Sequence, residues 1–194
     1  MSSVTNSIRA ACTAQATIAS PLGPMLLART ATGLAGVWFE GQKHHPGELA
    51  AAQRPGDALL KQAAQQLARY FNGNGVNDNS VNGNSANSNG AAFDLPLDLH
   101  GTPFQRAVWQ ALLRIGAGAT QSYGGIARAV GSPQAVRAVG AAVGQNPVSV
   151  IVPCHRVLGS VGSLTGYAGG VERKLALLQL EGARPGDALR KIAA

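Results

Sequence analysis

The sequence predicts a mixed α/β chain in two parts, a small sheet-bearing amino-terminal section and a mostly helical carboxy-terminal one. Short apolar, partly β-branched runs fill the stretch before Glu40, and after Leu99 apolar residues recur at helical spacing. Between these regions, in Asn72–Gly90, 15 of 19 residues are Asn, Gly or Ser. That composition has too little apolar surface to offset ordering entropy, so it reads as a floppy insertion. The expected division is an amino-terminal α/β domain over 1–98, carrying the insertion at 72–90, and a second domain over 99–194.

Element by element, Ala16–Ser20, Met25–Arg29 and Gly33–Glu40 read as strands, with Pro21-Leu22-Gly23-Pro24 as a hairpin turn. Asp57 is placed to cap a helix whose stripe is Leu59, Leu60, Ala63, Ala64, Leu67 and Tyr70. The hexapeptide Arg-Pro-Gly-Asp-Ala-Leu at Arg54–Leu59 recurs at Arg184–Leu189. Each copy reads as a turn followed by an Asp cap, with no repeat architecture. Thr102-Pro103-Phe104-Gln105 is a capping box with Pro at the first helical position. Phe104, Val108, Ala111, Leu112 and Ile115 form the buried face of that helix, with Trp109 or Arg106 toward its edge. A second helix spans about Tyr123–Val130. Gly131 separates it from a third, expected to start at Ser132-Pro133 and to end near Val143. The pair suggests a helix-turn-helix.

The 194 residues, 45% hydrophobic, suffice for a packed core, and the formal charge is +7 although only 13% of residues are charged. Such an imbalance favours an anionic partner. Two cysteines without a C-x-x-C pair exclude a disulfide framework and a zinc ribbon, so the thiols are expected to be reduced. No apolar run approaches the ~18–20 residues of a membrane helix, and no signal-peptide core follows Arg9. A cytoplasmic protein without membrane contact is the expectation.

From Gly101 to Val171 there are five arginines, Arg106, Arg114, Arg128, Arg137 and Arg156, and no Asp, Glu or Lys. Pairing partners would have to come from outside the segment, so nucleic-acid contact is the preferred reading over packing or ion pairs. Ala138, Gly140, Ala141 and Ala142 on the third helix would allow close approach to a duplex or, equally, to another helix.

Val148–Val152 is an apolar run expected to be buried. It ends at Pro153-Cys154-His155-Arg156. If Pro153 opens a helix, Cys154 lies in its first turn, where free N–H groups favour a thiolate, and Arg156 would help. A lone buried Cys is otherwise an inert small hydrophobe.

Pro153-Cys154-His155-Arg156, preceded by Asn146-Pro147 and followed by Gly166-Tyr167-Ala168-Gly169-Gly170 and Glu181-Gly182, resembles the O6-alkylguanine-DNA alkyltransferase family. Ser20-Pro21-Leu22-Gly23-Pro24 and Val37-Trp38-Phe39-Glu40-Gly41 resemble the amino-terminal domain of its bacterial members. The resemblance implies a ribonuclease-H-like α/β domain followed by a winged-helix-like domain with the helix-turn-helix. It also implies repair by direct reversal, in which an alkyl group moves from guanine O6 in double-stranded DNA to Cys154, once per polypeptide, without a cofactor and as a monomer.

By the same resemblance His155 takes the thiol proton through water, and Glu181 orients and charges it as the carboxylate of the relay. Asn146 is the hinge joining the helix-turn-helix to the active-site turn. Tyr123 helps to swing the nucleotide out and donates to guanine N3. Arg137 fills the gap left by the extruded base, while Ala138 and Ala141 suit a minor-groove approach. Tyr167, Ala168 and the backbone of Leu164–Gly169 would line the base pocket, the carbonyls of Cys154 and Val157 would accept from the guanine amine, and Arg156 is grouped with the DNA-contacting residues. Cys12, His44, His45 and His100 do not reproduce the zinc pattern of some members, so no metal is expected. Two rivals stand beside this reading: a non-catalytic alkylated-DNA-binding protein, which Cys154 speaks against, and a cysteine hydrolase using Cys154 and His155.

Overall fold

The computed structural model describes residues 3–73 and 93–183. Most of the Asn-rich stretch and the second hexapeptide lie outside the described residues. The amino-terminal sheet comprises β1 (Ala14–Ile18), β2 (Met25–Arg29), β3 (Leu34–Phe39) and β4 (Ala52–Gln53), in the order β3-β2-β1-β4. β1 and β2 form the expected hairpin, with Ile18 opposite Met25; β2 and β3 are also antiparallel, and β4 runs parallel to β1. In the connecting turn the Ser20 hydroxyl accepts from Leu22 N and donates to Gly23 O. A helix before the sheet, α1 (Ser3–Ala11), had no counterpart in the sequence reading; it buries Ile8 in the core.

α2 (Ala58–Phe71) packs on this sheet. Asp57 accepts from Leu59 N and Leu60 N, as its cap position requires, and is also ion-paired to Arg29 at 2.9 Å. Of the expected stripe, Leu60, Ala63, Leu67 and Tyr70 are buried; Leu59 and Ala64 lie at its margin.

The helical section begins with α3 (Pro103–Leu112), where both bonds of the Thr102–Gln105 capping box are formed. Trp109 is not at the helix edge. It is fully buried and donates to the carbonyl of Ala142 at 2.8 Å, locking α3 to a later helix. α4 (Tyr123–Ala129) is capped by Ser122. α5 (Val136–Gly144) starts later than expected from Ser132-Pro133. Gly131, at φ 70, ends α4 in a left-handed turn, and Ser132 N is spent on Ala127 O. The next residues reverse the chain before helical bonding resumes. α6 (Val171–Leu180) closes the described fold.

Two backbone junctions position the site. β3 lies at the sheet edge, yet its six residues are all buried. Val37 donates to Pro147 O and accepts from Ser149 N, both at 2.9 Å, so the segment leading to Cys154 is hydrogen-bonded onto the amino-terminal sheet. Beyond Cys154, β6 (Val157–Leu158) pairs in parallel with β5 (Gln121–Ser122), which fixes the start of α4 beside the same segment. Among the described residues no helix is long and apolar enough to cross a membrane.

Candidate active site

The segment Asn146–Cys154 is a tight, buried turn. Asn146 is its centre: its side-chain oxygen accepts from Val148 N at 3.0 Å. Its amide donates to Val152 O at 2.8 Å and to Cys154 Sγ at 3.0 Å, with a longer bond to Val148 O. Val150 sits at φ 72, a left-handed conformation costly for a β-branched residue. The surrounding bonds, including Val152 N to Val148 O, hold it there.

Cys154 opens a single turn of tight helix, Cys154–Arg156, and is 4% exposed. A three-residue turn lacks the aligned dipoles of a long helix, and the expected thiolate does not follow from it. Burial pushes the Cys154 thiol above its ordinary value. The Asn146 amide, the Lys174 ammonium and the nearby backbone N–H groups oppose that shift without overcoming it. The resting sulfur is a thiol.

Arg156 also departs from expectation. Its guanidinium is 1% exposed and turned away from solvent, donating to Glu181 through Nε at 2.9 Å and Nη2 at 2.8 Å, and to the carbonyl of Ile115. It therefore neither assists the thiol directly nor reaches DNA. The acid-free window ends at Val171, and the carboxylate that pairs with Arg156 lies beyond it, at the far end of the following helix. Arg106, Arg114, Arg128 and Arg137 remain exposed.

Glu181 follows the last turn of α6 as its cap and is itself buried. It accepts from His155 Nε2 at 2.9 Å, Arg156, the Tyr70 hydroxyl at 2.7 Å and Gly118 N at 3.3 Å. Burial alone would raise its proton affinity, but the bonds from His155 and Arg156 hold it well below the usual carboxylate range. An ionised carboxylate only accepts, so His155 carries its proton on Nε2, and Nδ1 is left as the basic nitrogen. Nδ1 has no partner among the described residues. Burial lowers the His155 proton affinity, partly offset by Glu181, so the imidazole is neutral at rest.

Around the sulfur stand three further ionisable groups. Tyr123 donates to Gly166 O at 3.2 Å, and Tyr167 has a buried hydroxyl; the phenols of both are pushed up by burial and then by the charge Cys154 would carry. Lys174, fully buried on α6, donates to Val157 O at 2.6 Å and Thr165 O at 3.0 Å. Burial lowers it to about 8. The carbonyls of Val157 and Cys154 thus each already accept one bond, the latter from Val157 N, and each keeps a second lone pair. A Cβ at Gly169 would stand 2.7 Å from the Tyr167 ring, so glycine is required for the ring's position. Ala168 is half-buried beside it, its carbonyl accepting from Lys43 N.

Arg137, Ala138 and Ala141 form an exposed face of α5. Sequence reasoning missed Tyr70 and Lys174, whose link to the site is visible only in three dimensions. Among the described residues no group of His, Cys, Asp and Glu is placed to hold a metal ion.

The chain matches two family models, the 6-O-methylguanine DNA methyltransferase ribonuclease-like domain over residues 14–81 and the DNA binding domain of the same family over 103–183. It belongs to the 6-O-methylguanine DNA methyltransferase family. The methylated-DNA–protein-cysteine methyltransferase of Mycobacterium tuberculosis is 45% identical over 172 residues, spanning 88% of this chain and 94% of the relative. The inducible protein of that name from Bacillus subtilis is 42% identical over 161 residues, spanning 78% and 82%. Among solved structures, Mycobacterium tuberculosis OGT in complex with DNA superposes with a TM-score of 0.74 at 42% identity, covering 91% of this chain and 98% of that one. The Mycobacterium tuberculosis O6-methylguanine methyltransferase gives 0.71 at 44%, covering 86% and 91%. The family's two-domain architecture is the one expected from the sequence.

The Glu181 geometry has a pH consequence. A carboxylate depressed in the fold contributes stability that is complete above its ordinary value of 4.5 and is lost as pH falls below it, because the unfolded chain takes up the proton first. Urea unfolding at stepped pH will show wild-type stability declining from pH 4.5 downward. A Glu181→Gln chain, less stable at neutral pH, will show a shallower decline; equal slopes would contradict the ionised assignment.

Proposed function

We propose that this protein repairs alkylated double-stranded DNA by moving the alkyl group from guanine O6 onto Cys154, once per chain. The observation that carries this reading is the buried series Asn146–Cys154 and His155–Glu181, a thiol beside an imidazole whose far nitrogen is held by an ionised carboxylate. The relatives' names, and the DNA complex of the structural neighbour, support the same chemistry.

Both reacting groups rest neutral, so the proton must leave sulfur as the lesion docks. His155 Nδ1 receives it through water, and the imidazolium is stabilised by Glu181. The Asn146 amide and Lys174 favour the thiolate that results. Sulfur then attacks the alkyl carbon in line with the departing oxygen. The S–C bond forms, the C–O6 bond breaks, and its electron pair passes to guanine, which takes a proton at N3 from Tyr123. The proton held on His155 then passes through water to the Tyr123 phenolate, which leaves both groups neutral again. The thioether has no leaving route, which limits each chain to one event and dispenses with a cofactor.

O6 lies inside the base stack, so the nucleotide must be everted, at a cost of about a few kcal/mol. The exposed face of Arg137, Ala138 and Ala141 supports a role for α5 in this step, with small side chains against the minor groove and Arg137 filling the gap. Tyr167, Ala168 and the carbonyls of Cys154 and Val157 receive the base. The protein acts as a monomer. Its need for a reduced thiol fits the cytoplasm.

Mixing the protein with a duplex carrying O6-methylguanine and mapping peptides by mass spectrometry will place one added methyl on the Cys154 peptide and none in Cys154→Ser. Methyl on another peptide, or repair by the serine chain, would refute the assignment. Arg137→Ala will slow repair of duplex DNA by at least about tenfold while leaving reaction with free O6-methylguanine nearly unchanged; equal losses on both substrates would remove the eversion role.

A further inference from the structure

We infer that Tyr70, supplied by the amino-terminal domain, is a positioning residue of the relay, its hydroxyl setting how strongly Glu181 draws on the His155 proton. This rests on the repair reading above. Tyr70 lies in the last turn of α2 and is 1% exposed, its ring packed on Phe71 and Phe93 with centroids 5.4 and 5.5 Å away. Packing alone would be met by phenylalanine. The hydroxyl instead reaches Glu181 Oε1 at 2.7 Å, across 111 residues of chain.

The oxygen it meets is the one that also accepts from His155 Nε2 at 2.9 Å and Arg156 Nη2 at 2.8 Å. Each donor withdraws charge from the carboxylate. A carboxylate with one donor fewer holds the His155 N–H more tightly and stabilises the imidazolium further. Burial and the Glu181 charge push the Tyr70 phenol far above its ordinary value, so it stays a donor throughout the working range.

The carboxylate's other oxygen, Oε2, accepts from Arg156 Nε and from the Gly118 N–H in the loop before α4, and Lys174 on α6 acts on the imidazole by charge. Arg156 and Lys174 disfavour the imidazolium by charge, and Glu181 favours it. Tyr70 acts on that balance without carrying a charge. By holding the carboxylate's proton affinity down, it keeps His155 neutral, and therefore able to accept the thiol proton, to lower pH than Glu181 alone would allow.

Two variants and two measurements test this. Tyr70→Phe retains the ring and removes the hydroxyl; Phe93→Leu disturbs the same packing and leaves the hydroxyl. For each, single-turnover methyl transfer from an O6-methylguanine duplex is followed from pH 4 to pH 9, and the His155 imidazole is titrated by NMR. In Tyr70→Phe the acid limb of the rate and the His155 midpoint both move up by about 0.5 to 1 unit. Transfer below the limb is then roughly 3 to 10 times slower, and rates converge above it. Phe93→Leu lowers stability and leaves both positions where they are in the wild type. Superimposable profiles for Tyr70→Phe and wild type, or an equal loss at every pH in both variants, would overturn the assignment. Should the wild type transfer no methyl group, the repair reading fails, while the His155 titration still decides whether Tyr70 acts on the imidazole.

Discussion

One buried negative charge organises this site. Glu181 gathers five donor bonds, two from Arg156 and one each from His155, Tyr70 and Gly118, and these come from the helix of the amino-terminal domain, the loop before α4 and the turn after Cys154. An ion removed from water is tolerated only when its lone pairs are this fully met. Removing a single partner from such a pair costs about 3–5 kcal/mol, because the other charge is left buried and unmatched. The same carboxylate that ties the two domains together also dictates which imidazole nitrogen is protonated. Fold stability and the proton transfer of the proposed reaction therefore share one atom group.

The sulfur is held by a different device. Asn146 bonds to the backbone on both sides of the turn and to Cys154 Sγ, and it does so while the chain accommodates Val150 at a positive φ. The turn is in addition laid against β3 through Val37. Burial keeps the thiol protonated, and the groups that favour a thiolate are in place around it. In the proposed reaction the nucleophile is thus made on demand, at the docked lesion, which guards a reactive sulfur against wasteful chemistry before then.

The parts of this legible in the sequence were those in which local chemistry decides the outcome. Asp57 and Thr102 cap helices because their side chains meet backbone N–H groups a few residues away. The hairpin at Pro21–Pro24 and the contiguous Pro153–Arg156 signature are local in the same sense. Misreadings arose where tertiary structure overruled a local signal. Ser132-Pro133 is a good helix start, yet the left-handed turn at Gly131 delays α5 to Val136. Arg156 stands in a stretch empty of acids, but its carboxylate arrives from the far end of α6. Spacing alone leaves Trp109 or Arg106 toward the edge of α3, because nothing in the sequence says that Ala142 offers a carbonyl to the Trp109 indole. Tyr70 and Lys174 were invisible as site residues for that reason too, since one reads as core stripe and no local pattern ties the other to Cys154.

The most direct test of the central claim is the single-turnover rate of methyl transfer from an O6-methylguanine duplex to folded Glu181→Gln, compared with wild type at neutral pH. A neutral amide cannot stabilise the imidazolium, so transfer is expected to fall by about 10²- to 10⁴-fold with DNA affinity little changed. A rate within a few-fold of wild type would show that the buried carboxylate serves the fold alone.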